Sequence, residues 1–530
     1  MIPPRDEAAA VDPIVWGQPD QPLQLLARNI STRYLAIFID GALGLALLPF
    51  NVSHLGPSAY GLWALTTSVT WFFGVLDLGY GGALVKFIAQ YRAWRDRAAL
   101  NEILSTVALV FAAIGAASFV VTLVLASYFD RLFNIEPGQV RTAQYVLLIV
   151  ATYLSVRFPL SIFGAVVYGF QRYYRNNAVS IGISLAVATV NVAVLTAGYG
   201  LVGLVAATTA IRILSLGLYA WNAWRVYPGL QIRLSLFRRA RLREVTGFSL
   251  YMWALDWAGK INYSSDPLVI GAILDTTAVG VWTIGQRLAQ VAQQLTKQLN
   301  DALFPAVVDS DAAQRHDRLQ MILLHGTKLS TALAVPLCVG LIVLAEPLIS
   351  SWVGARFAAS VRPAQILLAV VLIRIATASA NLILKGAGEH RLLTLTNGAT
   401  AIVNVILSIV LIRPFGLVGV ALGTLIPVTA SAALVLYPAA CRRVGLPVVR
   451  PLSEAFWPAI WPGVLMIGVL KVLGQTPPSG LIAVGVHLAV AGAVYAGLFV
   501  GVAIGAEERR FYWTKVRSLL ERRGRTSVAA

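Results

Sequence analysis

Seven basic residues fall inside stretches of sequence that are otherwise apolar: Arg33, Arg157, Arg212, Lys260, Arg287, Lys297 and Arg374. On insertion scales a charge at the centre of a bilayer costs roughly 2.5–3.5 kcal/mol, so such residues face a bundle interior or a watery cavity. Seven facing lipid would cost about 20 kcal/mol, beyond the roughly 5–15 kcal/mol that holds a typical fold. Arg33 and Lys297 lie near enough to segment ends to snorkel; the others need a cavity or a partner. Residues three and four apart share a helix face, and this spacing groups the charges into stripes. Arg287, Gln290, Gln294, Lys297 and Asp301 form one, and Arg374, Thr377, Asn381 and Lys385 another. Asp256, Lys260 and Tyr263 form a third, with the acid ahead of the base at a spacing suited to an ion pair. Asn29, Arg33 and Asp40 align, as do Tyr153, Arg157 and Ser161, and Thr208, Arg212 and Ser215. Against the seven bases stand three intramembrane acids, Asp40, Asp256 and Asp266. A cavity of that sign suits an anion, best of all a diphosphate, which guanidinium groups bind through paired hydrogen bonds. Asp40 and Asp266 are candidates for taking up a proton or sodium ion.

Other chemistries lack their residues. Gly259-Lys260 has neither the preceding glycine nor the following Ser/Thr of a phosphate-binding loop. The five histidines are scattered without metal-ligand spacing. No catalytic motif is evident, and no metal or cofactor is expected beyond a proton or sodium gradient. Asp77, ahead of Gly79, Gly81 and Gly82, reads as a cap on the amphipathic helix that follows it.

The elements that carry these residues are membrane spans. The chain has 530 residues, 58% hydrophobic and 12% charged, where soluble proteins run roughly 45–50% apolar and 25% charged. That excludes a large soluble enzyme, and the two cysteines exclude a disulfide framework. The net charge of +18 would suggest nucleic acid in a soluble domain; here it reports basic cytoplasmic loops, and no nucleic acid partner is expected. With about 20 apolar residues to a crossing, the sequence predicts an all-α polytopic membrane protein of fourteen spans: 31–51, 58–79, 104–128, 144–169, 177–198, 201–224, 247–273, 278–304, 329–350, 363–384, 394–413, 417–438, 455–473 and 480–504. With both termini cytoplasmic, most of the 42 Lys and Arg residues fall on the cytoplasmic side, and only Arg131, Arg141, Arg356, Arg362 and Arg413 on the other.

A weak internal repeat divides the chain. Leu55, Ala59, Gly61 and Trp63 recur as Leu274, Ala278, Gly280 and Trp282; Val190-Asn191-Val192 recurs as Val403-Asn404-Val405, and Gly200-Leu201-Val202-Gly203 as Gly416-Leu417-Val418-Gly419. The three matches keep their order at nearly one offset. A unit of six spans gives both copies the same orientation, related by an axis along the membrane normal, with the substrate site between lobes. The expected domains are a cytoplasmic segment 1–28, an N-lobe 29–245, a C-lobe 246–445, an appended helix pair 446–505 and a basic cytoplasmic tail 506–530. Within the tail, Glu507 to Arg525 reads as an amphipathic helix: Trp513, Val516 and Leu520 share one face, flanked by Arg509, Arg510, Lys515, Arg517, Arg522 and Arg523, a pattern suited to an anionic leaflet.

Several motifs resemble the polysaccharide (Wzx-type) flippases of the multidrug/oligosaccharidyl-lipid/polysaccharide exporter superfamily. They are His54-Leu55-Gly56-Pro57-Ser58-Ala59-Tyr60-Gly61-Leu62-Trp63; Asp77-Leu78-Gly79 with Ala83 through Tyr91; Gly169-Phe170-Gln171-Arg172-Tyr173; and Ala278-Val279-Gly280-Val281-Trp282 through Arg287-Leu288 to Phe304-Pro305. The resemblance implies two six-helix lobes, alternating access, and export of an undecaprenyl-diphosphate-linked oligosaccharide across the inner membrane for O-antigen, lipopolysaccharide or exopolysaccharide assembly. It places Arg33 and Arg287 where related lipid II flippases carry cavity arginines. The implied partners are the lipid-linked oligosaccharide diphosphate, membrane lipids, and the polymerase and glycosyltransferases of the same route. The runner-up reading, a cation-coupled drug exporter of the same superfamily, calls for a carboxylate-rich cavity, the reverse of the balance here. A membrane glycosyltransferase or polymerase calls for a sizeable extracytoplasmic loop, and the longest candidates, near 129–143 and 351–362, have about fifteen residues.

Overall fold

A computed structural model describes residues 22–247, 249, 265–474, 480–505 and 508–510. Every regular element among them is helical. The chain divides into two compact units, Met1–Gly280 and Val281–Ala530.

The first unit opens with α1, Pro22–Phe73, a 52-residue helix interrupted at Gly56, whose φ of 77° and ψ of 167° lie outside the helical region. Uninterrupted, it would be about 78 Å long at 1.5 Å per residue, far beyond a hydrocarbon core of roughly 30 Å. Glycine takes up the positive φ, and Pro57 restarts the helix, where a proline lacks no hydrogen bond it would otherwise make. The amphipathic α2, Tyr80–Trp94, follows, then α3, Arg97–Ser127, whose first turn is capped by Asp96 accepting from the Ala99 N–H at 2.9 Å. Three long apolar helices complete the bundle: α4, Val140–Gly169; α5, Tyr173–Thr196; and α6, Gly200–Val226. The buried face of α2, through Leu84, Phe87, Ile88 and Tyr91, packs on Ile103, Leu104 and Phe111 of α3 and Phe158, Ile162 and Val166 of α4. A strap after α6 lies along the start of α3. Asn101 holds the Gly229 carbonyl and the Gln231 N–H, and Ser105 accepts from the Arg233 N–H. Glu102 pairs with Arg238 at 3.3 Å and Arg241 at 3.2 Å. The short α7, Asp266–Ile273, precedes α8, Thr276–Ala312. Gly61 of α1 lies so close to the Thr276 carbonyl and Gly280 that neither glycine has room for a Cβ.

The second unit contains α9, His316–Val343; α10, Val361–Ala376; α11, Ala378–Gly386; α12, His390–Ala430; α13, Tyr437–Val444; α14, Trp457–Leu473; and α15, Leu481–Leu498. α12 is a hairpin broken at Gly416 (φ 57°, ψ −135°). Its arms run antiparallel, Asn404 Nδ2 donating to Thr424 Oγ1 at 3.1 Å, with Gly423 seated on Ser408 and Gly419 on the Leu411 carbonyl. The expected appended pair, α14 and α15, packs on α9 through Val335, Ala459, Met466, Val484 and Tyr495. Beyond α15, both carboxylate oxygens of Glu508 accept from Lys328 Nζ of α9 at 2.8 Å, with His325 Nδ1 3.6 Å from Oε1.

Ten of the described helices are long and apolar enough to cross a membrane, so the expected count of fourteen is not confirmed as a count. Two of the ten, 24–73 and 390–444, each contain two expected spans joined at a glycine. The eighth expected span falls on α8, which is too polar to rank among the ten. The seventh, 247–273, lies mostly outside the described residues, as does the tail beyond Arg510.

Candidate functional site

Four helices of the first unit turn polar stripes toward one another. α4 presents Tyr153, Arg157, Ser161, Gly164 and Tyr168 at steps of four, four, three and four, one face of a helix. α5 presents Asn176, Ser180 and Ser184, α6 presents Arg212, Ser215 and Tyr219, and α1 presents Asp40 beside Gly44. Together they line an open cavity of about 570 Å³. The Ser184 hydroxyl donates to Asp40 Oδ1, so the carboxylate is held by a neutral group. Arg157 lies with its guanidinium 5.9 Å from the Tyr153 ring centroid. A second cavity of about 280 Å³ shares Arg157, Ser161, Gly164 and Tyr168 with the first and reaches Asp77, Gly81 and Phe111. Two guanidinium groups and one carboxylate line the larger cavity, an arrangement that can take an anion and retain a titratable acid beside it.

Of the residues singled out in the sequence, Asp40, Tyr153, Arg157, Ser161, Arg212 and Ser215 are brought together here. Arg33 is exposed on α1 and does not line this cavity. Asn29, aligned with Arg33 and Asp40 by spacing, instead clamps the loop before α5, donating to the Gln171 carbonyl at 2.7 Å and accepting from the Tyr174 N–H at 3.0 Å. Thr208 bonds back to the Leu204 carbonyl of its own helix. Asp77 Oδ1 accepts from the N–H of Gly79, the residue before α2, at 2.7 Å, closing a turn in which Leu78 adopts φ 51°. Asp266 is buried in the first turn of α7. In the second unit Arg287 is half-buried on α8 and Arg374 half-buried in the last turn of α10. Lys260 and Asp256 lie outside the described residues, as does the side chain of Lys297. The α5 stripe was missed. Asn176, Ser180 and Ser184 repeat every four residues, but serine is common in apolar helices and carries no charge to mark it.

A chain of long apolar helices that line an open, charged cavity is a multi-pass membrane transporter. The family profile described as "Polysaccharide biosynthesis protein" matches residues 54–362, more than half of the chain, and the chain belongs to that family. Its relatives include the "Probable flippase AglR" of Haloferax volcanii, 21% identical over 490 residues, covering 91% of this chain and 97% of the relative. Another is the "Succinoglycan biosynthesis transport protein ExoT" of Rhizobium meliloti, 26% identical over 63% of each chain. Among solved structures, the lipid II flippase MurJ in an inward closed conformation superposes with a TM-score of 0.71 at 14% identity, covering 88% of this chain and 98% of that one. This likeness shows a shared fold.

Proposed function

We propose that the protein is a flippase of polysaccharide biosynthesis, a transporter and not an enzyme, whose cargo is an undecaprenyl-diphosphate-linked oligosaccharide. Family membership and flippase relatives support the general reading. The observation that carries the cargo assignment is the pair Arg157 and Arg212 on the wall of a cavity within membrane helices. A diphosphate leaving water needs fixed cations in place of hydration, while its polyprenyl tail stays in lipid. The drug-exporter alternative would want the opposite balance of charge. Movement from the cytoplasmic to the periplasmic leaflet of the inner membrane, by alternating access through the cationic cavity expected between the lobes, completes the proposal. Arg33, Lys260, Arg287, Lys297 and Arg374 belong to it as further candidate anchors. Asp40, held by the Ser184 hydroxyl, is the leading candidate for coupling to a proton or sodium gradient, with Asp266 second.

The test is surface glycan in a flippase-null strain complemented by variants at matched protein level. Arg287→Ala removes a charge-assisted pair worth roughly 1.5–3 kcal/mol and is expected to abolish complementation. Arg287→Lys, which keeps the charge without the planar fork, should retain a fraction of it. Lipid-linked oligosaccharide should accumulate on the cytoplasmic leaflet in the defective strains. Full complementation by Arg287→Ala, and equally by Arg157→Gln combined with Arg212→Gln, would overturn the assignment of a diphosphate cargo held by fixed cations.

A further inference from the structure

Four arginines that do not line the cavity crowd one end of the first unit, around the loop between α4 and α5. Arg28 of α1 stands 3.8 Å above the Tyr174 ring centroid. Arg175 lies 5.9 Å from the same centroid, its Nε donating to the Tyr174 hydroxyl at 3.3 Å. Arg92, at the end of α2, reaches the Gly169 carbonyl at 3.3 Å and lies 5.2 Å from the Phe170 ring centroid. Burial, and then the charge of Arg172, hold the Arg92 guanidinium below its ordinary pKa, so these two cations are near enough to oppose each other. Arg28, Arg92 and Arg175 are thus held by aromatic faces and neutral oxygens, and among the described residues none of the three forms an ion pair with a carboxylate.

The loop that carries them is built rather than loose. Gln171 adopts φ 61°, and Asn29 fixes the chain on both sides of it through the Gln171 carbonyl and the Tyr174 N–H. Asn177 Nδ2 donates to Thr32 Oγ1 at 3.0 Å, and Asn222 Nδ2 of α6 to the Arg175 carbonyl at 3.4 Å. Gly169 leaves no room for a Cβ against Ile88, which draws α2 and Arg92 against the loop. Exposed aromatic residues ring the same end: Trp94 two residues after Arg92, Trp221 and Trp224 beside Asn222, and Tyr173 stacked on Tyr168. Exposed tryptophan and tyrosine gather at the headgroup level of a bilayer, where the abundant anions are phosphates. Basic pockets between helix ends at that depth bind lipid headgroups.

We propose that this rim of Arg28, Arg92, Arg172 and Arg175, none of which lines the cavity within the spans, is a binding site for a phosphate group borne by a membrane lipid. Like charges gathered on a preorganised loop gain most from an anion that several guanidinium forks share. The aromatic floor limits the retreat of those forks into bulk water. The site stands independently of what the transporter carries.

The experiment is lipid binding to the purified full chain, followed by native mass spectrometry with four probes: undecaprenyl diphosphate, phosphatidylglycerol, phosphatidylcholine and inorganic diphosphate. The Arg92→Gln, Arg172→Gln double variant is expected to bind at least one anionic lipid tenfold or more weakly, about 1.4 kcal/mol, with phosphatidylcholine unaffected. Arg28→Gln with Arg175→Gln is the second pair, should the first fail to fold, and Arg131→Gln with Arg141→Gln is the charge-matched control. A loss confined to undecaprenyl diphosphate identifies a diphosphate site, and a loss of both anionic lipids identifies a general headgroup site; either supports the proposal. Unchanged anionic-lipid binding in a folded variant, an equal loss in the control pair, or equal competition by inorganic diphosphate overturns it. Arg157 and Arg212 are intact throughout, so this result and the glycan test fail independently.

Discussion

Arg157 is the charged residue among the four that the two cavities of the first unit share, lining both the space beside Asp40 and the space beside Asp77. Its place was legible in the sequence because a guanidinium on an apolar helix, with polar residues four apart on the same face, is costly to turn toward lipid. Asp40 and Arg212 were legible for the same reason. Asn176, Ser180 and Ser184 were not, since uncharged polar residues cost little in a span. Asn29 misled because spacing gives the face but not the depth at which a side chain finds its partner. At the same scale, Tyr91 ties α2 to the strap after α6. Its hydroxyl donates to Glu244 Oε1 at 2.7 Å and accepts from Arg241 Nη1 at 2.9 Å. Burial, and then the bond to Glu244, push the phenol above its ordinary range. A folded pKa raised above the unfolded one gives stability that is complete below about pH 10 and declines as pH rises beyond it. Tyr91→Phe should cost roughly 1.5–3 kcal/mol at neutral pH and flatten the alkaline decline. Thermal unfolding in detergent between pH 7 and 11 measures both, and a variant as stable as wild type would show the strap is held by its other bonds.

The helices themselves were largely readable from hydropathy, and the departures have physical causes. One-glycine connections at Gly56 and Gly416 join pairs of expected spans, because a single residue of positive φ ends one helix and turns the chain straight into the next. α8 carries so many polar residues that its composition alone does not mark it as a crossing. The repeated glycines matter for packing as well as for alignment. A Cβ on Gly61 would lie 2.7 Å from Gly280 N, and one on Gly280 would lie 2.5 Å from the Pro57 carbonyl oxygen. These are backbone atoms with no rotamer to yield, so Gly61→Ala should destabilise the protein by about 1–3 kcal/mol, read as a lower midpoint in fluorescence-detected thermal unfolding. Gly82→Ala meets nothing within 4 Å and should leave the midpoint unchanged. Between α9 and the chain beyond α15, Lys328 is only 9% exposed and is paired with Glu508. Glu508→Ala would leave a buried cation uncompensated, an expected loss of about 3–5 kcal/mol that Lys328→Met should largely relieve in the double variant.

For the whole chain, the asymmetric distribution of Lys and Arg predicts both termini in the cytoplasm. A C-terminal fluorescent-protein fusion should therefore light up and an alkaline phosphatase fusion at the same site stay inactive; the reverse pattern would sink the orientation. How such a chain enters the membrane follows from the hairpin of α12. Asn404, Ser408 and Thr424 are all buried against the opposite arm, so the first arm alone would carry the Asn404 amide into lipid without its Thr424 partner, at a cost of several kcal/mol. The connection holds only Arg413, Pro414, Phe415 and Gly416 between the arms, which leaves almost nothing to be translocated as a loop. The unit that partitions from the translocon is therefore the pair: the first arm waits beside the channel until the second has been synthesised, and a ribosome halted near residue 416 would hold a nascent segment not yet committed to the bilayer.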